Sequence, residues 1–398
     1  MAKNIVLCCD GTANQFARDN TNVVKLFSVL VHNDARQRTY YQPGIGTMEP
    51  PGALTPVSRR ITRGLSMAFG AYLEHDIRNA CAFLMQEHEP GDRVFLFGFS
   101  RGAYTVRSLA ALLRMYGLLW RGNEPMIPYA IRMMMAITEA RKAEKDRQRY
   151  ARTVRDYFEL AAAFKTAMAR ECKPHFVGVW DTVSSVGWIA NPLKLPYVAD
   201  NGDIAVGRHA VALDERRAFF RTNLWRPGQD PDETHGPVDL KQVWFPGVHC
   251  DVGGGYAEAE SGLSKLALEW MLDEAEAHGL LVDPARRHAM LGGDGHTAAP
   301  DPRAPLHESL TGPWNLAEYV PKRHYNFTTR QEEWRANRHR RRTVPANALI
   351  HWSVYERGPA YVATLGLPAT VVKVPKPSPY DAPPEAGSPS ARSATTGK

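Results

Sequence analysis

The sequence predicts the α/β class: a mostly parallel sheet with helices on both faces and a helical insertion over one end. Three observations predict it. Short stretches that read as strands recur at Asn4–Cys9, Arg38–Gln42, Val94–Phe97, His175–Trp180 and Gln242–Phe245, and Val94–Phe97 is continuously apolar, as expected of a strand buried on both faces. Stretches of helical spacing separate them, notably Leu65–Glu87 and Ala103–Leu113. Most of these strands run into turns rich in Gly or Asp, where parallel sheets gather their chemistry.

The elements follow in order. Asn4–Cys9 ends in Asp10-Gly11-Thr12, and a helix starts near Asn20–Val24. That turn is either a plain turn capped by Asp10 or one whose Gly11 and Thr12 amides form part of an oxyanion pocket. Arg38–Gln42 runs into Pro43-Gly44-Ile45-Gly46-Thr47, which lacks the Lys and the length of a phosphate-binding loop. Leu65–Glu87 is a helix stopped by Pro90-Gly91. The stretch Met115–Thr138 carries two prolines and a Met cluster. It is either a cap packed on the core or an apolar lip for lipid chains, with Trp120 and the methionines as its surface. Glu139–Glu171 reads as a charged, solvated helical face, and Ala210–Phe220, with Asp214, Glu215, Arg216 and Arg217, as a helix with paired charges. Ser264–Ala277 is an amphipathic helix, Asp283–Pro305 an irregular excursion, and Arg335–Thr343 a dense basic run expected in solvent or against an anionic membrane. Residues 1–374 are expected as one domain with a helical insertion at about 115–171, and the proline-rich 375–398 as a disordered tail.

Composition narrows the function classes. The 398 residues are 44% hydrophobic and 23% charged, with a formal net charge of +7. That balance suits an anionic surface such as a phospholipid layer, while the dense basic patterning of a nucleic-acid binder is missing. Five scattered cysteines form no CxxC pair, so neither a zinc site nor a disulfide framework is expected. The opening residues lack a signal-peptide pattern, and no run of apolar residues is long enough to span a bilayer. The expectation is a protein made and kept in the cytoplasm unless a dedicated machine exports it.

The chemistry centres on Asp92–Leu113. An apolar strand turns at Gly98-Phe99-Ser100-Arg101-Gly102 into a helix. So sharp a turn forces its middle residue to positive φ, and Gly98 and Gly102 remove the Cβ atoms that would collide. Ser100 is thereby lifted beside the positive end of the helix, as a nucleophile would be. The alternative is a Gly-rich turn of purely structural use. Asp181 follows the strand His175–Trp180, placed for the acid of a triad or for a helix N-cap. His249 follows Gln242–Phe245 in a Gly-rich loop, with Asp251 as a candidate orienter. A metal on His249 and Asp251 would lack a third ligand of recognisable spacing.

The order Ser100, Asp181, His249 is that of an α/β-hydrolase triad. The combination of DGTAN, PGIGT, GFSRGAY, VGVWDTV, LDERRAFF and FPGVHCDVGGGY resembles the DUF2235 family of α/β-hydrolases, which includes the Tle1-class phospholipase effectors of type VI secretion. The resemblance implies an α/β-hydrolase-like fold and hydrolysis of phospholipid or other acyl esters by Ser100, Asp181 and His249. The Arg101 amide would be one oxyanion donor and that of Gly11 or Thr12 the second, beside Asp10, and no metal or organic cofactor is called for. It also implies a lipid or ester substrate, no nucleic acid, and a secretion-system or immunity protein as partner. A soluble-ester carboxylesterase and a non-catalytic binding module on the same scaffold are the rival readings.

Overall fold

The computed structural model describes residues 2–11, 19–44, 73–143, 147–183, 187–188, 191–192, 195–226, 236–326 and 331–377. Thr12, residues 65–72 of the expected helix, part of the Pro43–Thr47 loop and nearly all of the proline-rich tail lie outside the described residues.

Eight parallel strands form the main sheet. They are β1 (Asn4–Cys9), β2 (Gln37–Gln42), β3 (Arg93–Phe99), β4 (Pro174–Trp180), β5 (Val206–Ala212), β6 (Asp239–Phe245), β7 (Leu349–Ile350) and β8 (Val372–Lys373). Their order across the sheet is β2-β1-β3-β4-β5-β6-β7-β8. The chain therefore moves outward from β1 to β2, then crosses back to build the rest of the sheet from β3 on the other side of β1. The crevice between β1 and β3 is the switch point at which sheets of this kind bind ligands, outside the carboxyl ends of the strands.

Side-chain alternation explains why both faces are covered. On β1, Ile5, Leu7 and Cys9 join one apolar layer with Ile77 and Leu84 of a helix described over 73–87 (α2) and with Val106 and Leu109 of α3 (Ser100–Tyr116). Val6 and Cys8 face the other layer, built from α1 (Asn22–Val29) and, after the short α6 (His249–Gly253), α7 (Gly262–Ala277). With both faces buried, the central strands carry near-continuous apolar runs, Ile5–Cys9 on β1 and Val94–Phe97 on β3, and those runs are legible in the sequence.

Between α3 and β4 lie α4 (Ile127–Ala143) and α5 (Arg147–Met168), packed on each other and on α3. Met133 and Met134 are buried in this layer, so the Met cluster is largely core. Trp120 is half exposed, with Arg170 over its ring at 5.6 Å. It follows the far end of α3, about 24 Å along the helix axis from Ser100 at 1.5 Å per residue. Trp120 therefore stands away from Ser100, and with Met133 and Met134 buried the cap reading fits this stretch better than the lipid lip.

Ala210–Phe220 is not a helix. Its first residues complete β5, buried along its whole length between β4 and β6, and the rest is a bent loop. A short apolar run satisfies either periodicity, and pairing on both edges decided for the strand.

Candidate active site

Ser100 opens α3 with φ of 57°, the left-handed value expected at its turn. The flanking glycines are required by contact. A Cβ on Gly98 would lie 2.6 Å from the backbone of Gly102, and a Cβ on Gly102 would lie 2.1 Å from the carbonyl oxygen of Cys9. The elbow is thus pressed onto the end of β1, at the switch point. At the start of α3 the first N–H groups have no intrahelical partner and carry the positive end of the helix dipole.

Asp181 sits one strand away. Phe99 of β3 is in register with Trp180 of β4, so Ser100 and Asp181 are the next residues on neighbouring strands, whose spacing is about 4.8 Å. The main chain binds them further, since Val183 N–H donates to the Ser100 carbonyl at 3.4 Å. Asp181 also has positive φ, 37°, and its N–H donates to Ala210 O at 2.8 Å.

His249 begins α6, after β6. Its Nδ1 lies 2.5 Å from Asp181 Oδ2, with both side chains buried. The Phe99 ring, adjacent to Ser100, lies 4.5 Å from the His249 ring and packs so closely on α6 that a Cβ on Gly253 would meet it at 1.9 Å. One aromatic side chain thereby couples the serine elbow to the histidine loop. Burial pushes the His249 imidazole toward its neutral form, and the Asp181 hydrogen bond and charge only partly offset this. Burial alone would raise Asp181, but the Arg342 charge and then the His249 hydrogen bond and charge hold it well below the usual carboxylate range. The pair is therefore a neutral imidazole on an ionised carboxylate, the state in which Nε2 can accept a proton and Asp181 can balance the charge formed.

The Asp181 carboxylate is nearly saturated. Oδ1 accepts from Ala212 N–H at 3.0 Å and from Arg342 Nη1, while Oδ2 accepts from His249 and from Arg342 Nη2 at 3.0 Å. The Arg342 guanidinium is itself fixed by the carbonyls of Phe220 and Ala212. Arg342 belongs to the basic run expected in solvent. The structure turns Arg342 onto Asp181 and Arg341 onto Asp214, and leaves Arg338 and Arg340 exposed.

The loop Leu213–Phe220 is the strap that holds the histidine. Asp214 accepts from Gly247 N–H at 2.8 Å, and fully buried Glu215 accepts from His249 N–H at 3.3 Å. Arg217 forks onto Glu215, and Phe220 stands edge-on to the His249 ring at 4.8 Å. Beneath, buried His209 accepts from Thr182 N–H at 3.1 Å and is kept neutral by burial, its pKa lowered to about 3.

Two sequence expectations resolve differently. Asp251 does not orient His249. Its carboxylate accepts from Val248 N–H and pairs at 2.6 Å with Nδ1 of His307, which no local pattern had singled out. Gly11 N–H donates to Asp10 Oδ1 at 2.7 Å, while Asp10 Oδ2 accepts from Thr21 and Tyr41. Asp10 thus caps its own turn and ties β1, α1 and β2 together. Among the described residues no group of His, Cys, Asp and Glu has the geometry to hold a metal ion, and no helix is long and apolar enough to cross a membrane.

A protein from Saccharomyces cerevisiae, Uncharacterized protein YEL023C, is 39% identical over 238 residues, 56% of this chain and 33% of that protein. The chain thus spans about a third of the length of this curated relative. Among solved structures, an uncharacterized protein from Pseudomonas aeruginosa is 21% identical with a TM-score of 0.40, covering 72% of this chain and 47% of its own. The Tle1 effector bound to the VgrG spike of the type 6 secretion system is 19% identical with a TM-score of 0.32, over 66% of this chain and 52% of its own. The model of the Tle1-like catalytic domain of type VI secretion phospholipase effectors matches residues 3–274, from β1 into α7, a span that contains Ser100, Asp181 and His249. The chain belongs to the Tle1-like family of type VI secretion phospholipase effector catalytic domains.

Proposed function

We propose that this protein is a serine hydrolase that cleaves acyl esters of phospholipids through an acyl-enzyme on Ser100. The observation that carries this reading is the buried Asp181–His249 pair, 2.5 Å apart, next to a positive-φ serine that opens a helix at the switch point of the sheet.

In this mechanism the Ser100 hydroxyl attacks the ester carbonyl carbon as its proton passes to His249 Nε2. Asp181 holds Nδ1–H and balances the imidazolium. The Arg101 N–H, at the start of α3, is the first donor to the oxyanion. The second donor is the amide of Gly11 or Thr12, of which that of Gly11 donates to Asp10 Oδ1 in this structure. Collapse of the tetrahedral intermediate expels the alcohol, protonated by His249. Water, deprotonated by His249, then releases the fatty acid and restores Ser100. As a member of an effector family, the protein would have a type VI secretion component as its delivery partner.

A fluorophosphonate probe tests the reading, because only an activated serine reacts. Wild type is expected to be labelled at Ser100 and to release fatty acid from phospholipid vesicles, and Ser100→Ala to do neither. An unlabelled wild-type protein would refute the nucleophile, and labelling without turnover of any phospholipid would refute the substrate.

A further inference from the structure

The excursion between α7 and β7 brings exposed apolar side chains to the rim of the site. Trp314 packs on Phe219 at 5.6 Å and on Phe220 at 5.7 Å, and Phe220 is the ring that stands against His249. Beyond Trp314 three large side chains are turned outward: Leu316, 72% exposed, Tyr319, 60%, and Trp334, 58%. These positions are held, not frayed. Buried Glu318, between Leu316 and Tyr319, accepts from Ala218 N–H at 2.6 Å, Asn337 Nδ2 at 2.6 Å and His339 N–H at 3.3 Å. Trp334 is on a two-stranded hairpin, opposite Arg323.

The same anchor brings in charge. Arg338 N–H donates to Glu318 O at 3.1 Å, and the Tyr319 ring meets His339 edge-on at 5.6 Å. Arg338 and Arg340 of this run point to solvent. Bulky aromatic and aliphatic side chains beside exposed arginines match the two layers of a lipid interface, acyl region and anionic headgroups.

We infer that Leu316, Tyr319 and Trp334, with Arg338 and Arg340, form a docking surface for an anionic lipid bilayer that seats the active-site end of the sheet on the membrane. This rests on the phospholipid reading above. It places the membrane at the carboxyl ends of the strands, away from Trp120 at the other end of α3.

The test is flotation of the full chain with vesicles of phosphatidylcholine alone or with added phosphatidylglycerol, at low and high salt. A soluble short-chain ester is assayed in parallel. Wild type is expected to float with the anionic vesicles and to detach in salt. Arg338→Gln with Arg340→Gln should weaken binding about thirtyfold, from roughly 1 kcal/mol per arginine near the surface. Leu316→Ser with Trp334→Ser should weaken it by about tenfold or more through lost apolar burial. Both variants should keep turnover of the soluble ester. Flotation of either variant like wild type, or no flotation of wild type, would overturn the surface. So would a dimer that the same substitutions dissociate, with no vesicle binding. If wild type floats but turns over no ester, the hydrolase reading falls and the surface stands. If the soluble ester is turned over without flotation, the surface falls and the hydrolase reading stands.

Discussion

Replacing Arg342 by Met is the most informative single perturbation of the site. Its guanidinium, 6% exposed, sits on a carboxylate that is 1% exposed, and it contacts both oxygens of Asp181. Truncation leaves a buried carboxylate with only Ala212 N–H and His249 as partners. Breaking a buried pair from one side costs about 3–5 kcal/mol. For a chain of this size that corresponds to a fall in melting temperature of roughly 4–7 °C. The pH dependence has a defined sign. Asp181 is held low when folded, so its stabilisation is complete above the unfolded value of about 3.9 and is lost as pH falls through the folded value. Removing Arg342 raises the folded value and moves that loss to higher pH. Catalysis responds in parallel, because a carboxylate no longer shared with the guanidinium holds the His249 imidazolium more strongly. The acid limb of kcat/KM on a soluble ester should shift to higher pH. Arg342→Lys keeps the charge without the two-pronged geometry and should recover part of both effects. The assay is the pH profile of kcat/KM with calorimetric melting across the same range. A methionine variant with wild-type melting temperature and an unmoved acid limb would refute the assignment.

Ser100→Ala should abolish turnover, by a factor on the order of a million in kcat, and leave the melting temperature nearly unchanged, since Ala takes the same backbone. Retention of more than a few per cent would move the nucleophile elsewhere. Asp181→Asn should cost less activity than His249→Ala but more melting temperature, because it also strands Arg342; equal melting of the two would refute the Arg342–Asp181 pair. Asp251→Asn should leave most of the activity, as its partner is His307, and a loss matching Asp181→Asn would refute that pairing. Burial lowers His209 and His351 to about 3, so both stay neutral in the fold while the unfolded chain takes up protons below pH 6.5. Each should remove about 1.4 kcal/mol of stability per pH unit between roughly 6.5 and 3, and His351→Asn should flatten the slope by one proton. Unchanged slope in that variant would refute its neutral burial.

The elbow, the strand–helix alternation and the order of Ser100, Asp181 and His249 were legible in the chain because their causes are local. A glycine two residues either side of a positive-φ serine, and apolar runs buried on both faces, leave their mark within a few positions. The paired charges of Ala210–Phe220 suggested a helix and could not reveal that its first residues end β5, because so short a stretch fits a strand or a helix until neighbouring strands claim its edges. The site's second tier was not legible at all. Arg342 reaches Asp181 across 161 residues and lies beyond the family-matched span, and in a basic run an inward-turned arginine has the same composition as an outward one. Asp251, two residues from His249, looked like its orienter, yet α6 turns it to His307, 56 residues away. Pairing between distant segments is set by which buried charges must find partners once the layers close. Which arginines of 338–342 would serve Asp181 and Asp214, and which would stay free for a surface, was therefore decided only by the tertiary structure.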